Sequence, residues 1–180
     1  MSVGCPLHKC VYGLILFGLI CLGPSSALAQ KKIIILVRHA EKEASAPADT
    51  MTATNSDPEL SAAGKERAMR LIKLVGKHRP GAFYSTNFRR TRETLEPLAA
   101  KRHSTVQIYD DREQAKLVDS ILRSKIRCTV VTGHSNTIPG LANLITGKDI
   151  FKNMADSEFG VIWVVRMKDG KFRRLEVISY

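Results

Sequence analysis

The sequence predicts an α/β fold in three layers: a mostly parallel sheet with helices on both faces, closed by a C-terminal antiparallel hairpin. Three observations carry this expectation. Ile33-Ile34-Ile35-Leu36-Val37 and Cys128-Thr129-Val130-Val131-Thr132 are short apolar runs rich in β-branched residues, the pattern of strands buried on both faces. Around them, strand-like runs alternate with segments of helical spacing, which is the order of parallel strands joined by helical crossovers. Near the end, Lys168-Asp169-Gly170-Lys171 separates two further strand-like runs, and Asp-Gly is the residue pair of a tight hairpin turn.

The elements follow in order. Residues 1–29 read as a secretory signal peptide. His8 and Lys9 make a weakly basic start, Val11–Leu22 is an apolar run of 12 residues, and Ala27-Leu28-Ala29 offers the small-x-small pattern of a cleavage site. The run is short for a membrane span, although an uncleaved anchor is the alternative. The remaining residues, 30–180, suit one domain large enough for its own core, in a periplasmic or secreted setting. Of the four cysteines only Cys128 lies in that part, so no internal disulfide is available to it. It holds 27 basic and 17 acidic residues, a net +10, which attracts anions in general without choosing among them. No arginine-rich run interleaved with aromatics marks a nucleic-acid surface.

After the first strand, Glu41–Asp57 is rich in Ala, Ser, Thr, Asp and Pro and reads as a long loop able to wall a site. Ser61 is placed to cap a helix that carries Ala68, Leu71, Ile72 and Val75 on one face. Ala82-Phe83-Tyr84 is a second strand. Ser85-Thr86-Asn87 launches a helix from Phe88 to about Lys101, with Pro97 expected to kink or shorten it. Thr105–Tyr109 is a third strand, and Asp110-Asp111 are positioned to cap a helix running to about Arg123. After the Cys128 strand, Ile138–Ile145 is helical, and Phe159–Met167 and Phe172–Ser179 are the hairpin strands.

Three polar clusters stand just past three predicted strands: Arg38-His39, Ser85 through Arg92, and Gly133-His134-Ser135-Asn136. In a parallel sheet those ends share one edge. Arginine forks, imidazoles and helix N-termini converging there describe an anion site, and a phosphate site in particular. Taken singly, Arg38 reads equally as a solvated strand-end charge, His39 as a hydrogen-bonded half-buried ring, and Ser135 and Asn136 as helix caps.

Together the clusters resemble the histidine phosphatase superfamily in its phosphoglycerate-mutase-like branch. Arg38-His39-Ala40-Glu41 resembles the Arg-His-Gly-Glu signature, with Ala in place of Gly. Tyr84 through Thr94 is similar to the helix start that bears the family's second arginine, and Val131 through Thr137 to the segment bearing its second histidine. The resemblance implies a metal-independent phosphomonoester hydrolase needing no cofactor. His39 would be the nucleophile that forms a phosphohistidine; Arg38, Arg90 and His134 would bind the phosphate. Arg89 and Arg92 are flanking charges by the motif's count. A proton donor is expected after the third strand, with Asp110 first and Glu113 second; Glu41, next but one to His39, is a third candidate. A weak acid in an open site favours good leaving groups, such as a phosphoramidate.

The substrate class is then a phosphorylated small molecule or glycan, with an envelope sugar phosphate as the suggestion from compartment and charge. The rival is a non-catalytic module that binds phosphorylated glycan or lipid. A serine-hydrolase elbow at Gly133-His134-Ser135 fails because Thr137 stands where the second glycine belongs. The five histidines show no zinc-ligand spacing.

Overall fold

The structure, a computed structural model, describes Met1, residues 30–44 and residues 57–180. The proposed signal peptide, and most of the loop after Lys42, lie outside the described residues. Among the described residues no helix is long and apolar enough to cross a membrane.

The elements are β1 (Lys31–Arg38), α1 (Ala62–Gly76), β2 (Ala82–Ser85), α2 (Arg89–Lys101), β3 (Gln107–Ile108), α3 (Gln114–Arg123), β4 (Cys128–Gly133), α4 (Thr137–Thr146), β5 (Val161–Lys168) and β6 (Lys171–Ser179). They form one sheet in the order β3-β2-β4-β1-β5-β6. The first four positions are parallel, and β5 runs antiparallel to β1 before folding back into β6. The α/β architecture and its C-terminal hairpin are those the sequence predicts.

Alternation along β1 divides the interior in two. Ile34 and Leu36 face a layer built by α3 and α4, with Leu117, Ile121, Ile138 and Leu141. Ile35 and Val37 face α1 and α2, with Leu71, Val75, Leu95 and Leu98. Each such side chain taken fully out of water contributes roughly 1.5–3 kcal/mol before chain entropy is counted. The helical phase of α1 follows from this. Gly64, Ala68, Leu71 and Val75 are its buried positions, and Ser61 caps it by accepting the Gly64 N–H at 3.1 Å. The hairpin turn places Asp169 and Gly170 at φ 54° and 70°, the two left-handed positions that Asp-Gly supplies.

Three local expectations change. Pro97 neither ends nor shortens α2, which runs through it to Lys101. The lost N–H is offset by burial of Leu95, Leu98 and Ala99 around it. The third strand keeps only Gln107 and Ile108, both exposed on the sheet edge, because Tyr109 turns inward and donates its hydroxyl to the Thr132 carbonyl at 3.2 Å. Asp110 and Asp111 do not cap α3, whose N-cap position is Glu113. Asp110 Oδ1 instead accepts the Arg112 N–H at 2.9 Å, making a separate turn before the helix.

Candidate active site

β1 and β4 are in register at their ends, Arg38 opposite Gly133, and the His39 N–H extends the ladder to the Gly133 carbonyl at 2.9 Å. The chain therefore leaves β1 and β4 side by side, and His39 and His134 emerge as neighbours with ring centroids 5.4 Å apart, edge to face. A Cβ on Gly133 would lie 2.5 Å from Thr137 Oγ1, so only glycine lets β4 pass this close to α4. That hydroxyl accepts the His134 backbone N–H at 2.7 Å and fixes the turn.

His39 is buried, and its Nδ1–H donates to the Ala40 carbonyl at 2.8 Å. Nε2 then carries the lone pair. Ala40 does not adopt a left-handed conformation and is packed against Leu60 and Ala68, so a methyl group is accommodated where the family signature has glycine. The Ala40 N–H goes to Thr94 Oγ1 at 2.9 Å, and Thr94 in turn donates to the Arg90 carbonyl at 2.7 Å, tying the loop that carries His39 to α2. His134 Nε2 lies 3.0 Å from Thr86 Oγ1, which itself sits 2.9 Å from Thr91 Oγ1.

Burial is the main cause that lowers the pKa of both imidazoles from 6.5 to about 4. Arg90 and Arg38 add repulsion at both rings, and Asp111 opposes it at His134. Both rings are thus neutral at ordinary pH, in a field that is positive overall.

Arg38 is held rather than free. Its NH1 donates to the Ala155 and Glu158 carbonyls at 2.6 and 2.8 Å, and its NH2 to the Asp156 carbonyl at 3.1 Å. Its guanidinium stacks on Phe159, 4.3 Å from the ring centroid. Its Nε–H is buried and has no partner among the described residues. Such a donor costs about 1–3 kcal/mol, a cost that a bound oxyanion would relieve. Arg90 stacks on Phe88 at 4.4 Å and pairs with Asp57 at 3.4 Å.

These groups line a cleft of about 540 Å³ that Lys42, Asp111, Ser135, Asn136 and Asp156 complete. The structure gathers Arg38, His39, Arg90 and His134 in it. The three carboxylates considered as proton donors are elsewhere. Asp110 is exposed and spent on Arg112. Glu113 is exposed and pairs with Lys116 at 2.8 Å. Glu41 is gripped by Arg67, with bonds at 2.8 and 3.0 Å. Arg89 is paired with Glu59 and Glu93, and Arg92 with Asn87, so both serve as flanking residues.

Sequence reasoning passed over Thr86, Thr91, Thr94, Phe88, Phe159 and Asp111. The threonines carried a readable signal, since Thr91 and Thr94 share the buried face of α2. Phe159 had none, because Gly160 at φ 74° ends the expected strand early and turns the ring to the cleft. Among the described residues no group of three or more His, Cys, Asp or Glu side chains is assembled as a metal would require.

The family model of the histidine phosphatase superfamily, branch 1, matches residues 34–114. No curated protein matches the sequence significantly. Solved structures are similar in fold. A protein of Agrobacterium tumefaciens provisionally named as the phosphohistidine phosphatase SixA is 18% identical, with a TM-score of 0.62 over 83% of this chain and 98% of that one. The protein histidine phosphatase SixA complexed with tungstate is 13% identical, with a TM-score of 0.64 over 82% and 96%. A mycobacterial glucosyl-3-phosphoglycerate phosphatase is 14% identical, with a TM-score of 0.60 over 83% and 98%.

Proposed function

We propose that this chain, whose residues 34–114 match the family model of the histidine phosphatase superfamily, is a member of it and a phosphomonoester hydrolase that works without metal through a phosphohistidine on His39. One observation carries the reading. The Nδ1–H bond to Ala40 leaves His39 Nε2 as a neutral, unprotonated nitrogen in the same cleft as two arginines.

The chemistry follows from that placement. Nε2 attacks phosphorus, and the bond from phosphorus to the leaving group breaks with its electron pair on the leaving atom. Arg90, the open Nε–H of Arg38 and His134 meet the charge on the phosphoryl oxygens. Water then displaces His39 from phosphorus and releases inorganic phosphate. The leaving atom needs a proton in the first step, and the water must lose one in the second. We assign both transfers to Asp111, the carboxylate that follows β3 and lines the cleft, in place of Asp110 and Glu113.

That carboxylate is half-exposed, in a cleft open to water. The proposed substrates are therefore phosphoryl groups on good leaving atoms, as in phosphoramidates, or sugar phosphates of an envelope component. Two similar structures bear names from those two chemistries, a protein histidine phosphatase and a glucosyl-3-phosphoglycerate phosphatase. The proposed periplasmic or secreted setting rests on residues 1–29 and is checked by N-terminal sequencing of the protein recovered from cells.

The deciding experiment measures turnover of aryl phosphates of graded leaving-group pKa, with chelator present, for wild type, His39→Ala and Asp111→Asn. Turnover resists chelator and vanishes in His39→Ala. In Asp111→Asn, kcat/KM falls by about 10²–10⁴ for poor leaving groups and little for activated ones. An equal loss for all leaving groups would remove Asp111 from the acid role. Binding of the esters by wild type without turnover would make the protein a phosphate-ester binding module.

A further inference from the structure

At the opposite edge of the sheet, where the parallel strands begin, lies a larger cleft of about 680 Å³. Among the described residues, nine lysine and arginine side chains line it and no acidic one does. That is about a third of the chain's 28 basic residues in one place. β1 runs from this cleft to the active site, so the two are about 23 Å apart at the strand rise of 3.3 Å per residue.

The fold puts these charges together from four directions. Lys31 and Lys32 open β1, Arg127 precedes β4, Lys77 and Arg79 follow α1, and the β5–β6 hairpin brings the rest. Three are engaged. Lys32 donates to the Ser124 and Ile126 carbonyls, and Arg166 and Arg174 share Glu176 at 3.0 and 2.7 Å. The other six, Lys31, Lys77, Arg79, Arg127, Lys168 and Arg173, form no ion pair among the described residues. His78, inside the same cleft, registers the field: its pKa is lowered by burial and then by Arg166 and Lys77, with Glu176 opposing. Like charges gathered in such excess over counter-charge repel one another, a cost that a bound anion would remove.

We infer that this cleft is a second anion site, for a ligand carrying two or more phosphate groups. Five of the nine cations are guanidinium forks, which match phosphate oxygens in pairs. Ile33, Cys128 and Met167 form an apolar floor between the charges. Among the described residues no Phe, Tyr or Trp lines the cleft to give a platform on which a nucleic-acid base would stack. A free oligophosphate and the headgroups of an anionic lipid surface present the same chemistry.

The test is calorimetric titration of the full chain carrying His39→Ala, which cannot hydrolyse the probe, with tripolyphosphate. Adding Arg127→Glu and Arg173→Glu weakens binding at least tenfold, and the neutral pair Arg127→Gln and Arg173→Gln gives a smaller loss. With His39 intact, the same changes leave aryl phosphate turnover unaltered, which shows that the chain is folded and separates this site from the active one. Sedimentation with phosphatidylglycerol or phosphatidylcholine vesicles distinguishes the sources. A charge-dependent loss on phosphatidylglycerol identifies lipid headgroups, and a loss confined to tripolyphosphate identifies a free ligand. Undiminished binding of both probes by the charge-reversed chain, or tripolyphosphate binding abolished by Arg90→Ala instead, would overturn the inference.

Discussion

The two site histidines should stay uncharged well into the acid range. Each is shifted from 6.5 to about 4, chiefly by burial. At pH 5.5 an ordinary imidazole is about nine-tenths protonated; one with a pKa near 4 is about 3% protonated, so His39 keeps its lone pair. The same shift acts on stability with a definite sign. Between 6.5 and about 4 the unfolded chain binds protons that the folded site refuses. Stability is therefore fully present above pH 6.5 and is lost as pH falls toward 4. The slope is about 1.4 kcal/mol per pH unit for each imidazole. The protein thus becomes less stable in acid while His39, the proposed nucleophile, stays unprotonated. The assay is a proton NMR titration of the imidazole C2 protons, with His39 assigned by its absence in His39→Ala, alongside urea unfolding at pH 7 and pH 5. A His39 midpoint near 6.5, or a urea midpoint that does not fall between those two pH values, would refute the reasoning.

Three substitutions probe the scaffold. Thr94→Val removes the acceptor of the Ala40 N–H and leaves that buried donor unpaired, for a loss of about 1–3 kcal/mol in urea unfolding, with kcat falling more than KM rises. Gly133→Ala drives a methyl group into Thr137 Oγ1 and the bond it accepts from His134, costing about 1–3 kcal/mol by thermal unfolding and lowering turnover. Glu41→Gln weakens the grip of Arg67 and lowers stability at pH 7 by about 1 kcal/mol. Arg67 holds the Glu41 carboxyl below its usual 4.5, so that contribution is present above pH 4.5 and fades as pH falls through the lowered value; wild type and variant should converge there in pH-dependent unfolding.

The fold was legible where a residue's environment follows from its neighbours in the chain. Five apolar residues in β1 have two faces to bury, and both are buried, against different helix pairs. Asp169-Gly170 needed only its own backbone preferences to make the turn. Pro97 does not shorten α2, although local propensity ranks it as a breaker, because Leu95, Leu98 and Ala99 hold the helix from outside. The ends of β1, β2 and β4 brought Arg38, His39, Arg90 and His134 to one edge, which topology alone requires. The carboxylate was not legible for a different reason. Asp110 and Asp111 are adjacent, and which of them faces the cleft depends on the turn that Asp110 makes with Arg112. Phe159 was illegible because a positive φ at Gly160 decides where the ring points.

The carbonyls that clamp Arg38 belong to residues 117 to 120 positions further along the chain. During synthesis His39 and Arg38 therefore emerge long before the residues that fix them, and Tyr180, whose carbonyl Arg67 holds at 2.5 Å, comes later still. Closing such long loops is slow, so the partly made chain carries every atom of its proposed nucleophile without the geometry that arms it. Activity should appear late and abruptly in a synthesis time course, and chains stalled before Ala155 should be inert even with both histidines already in place.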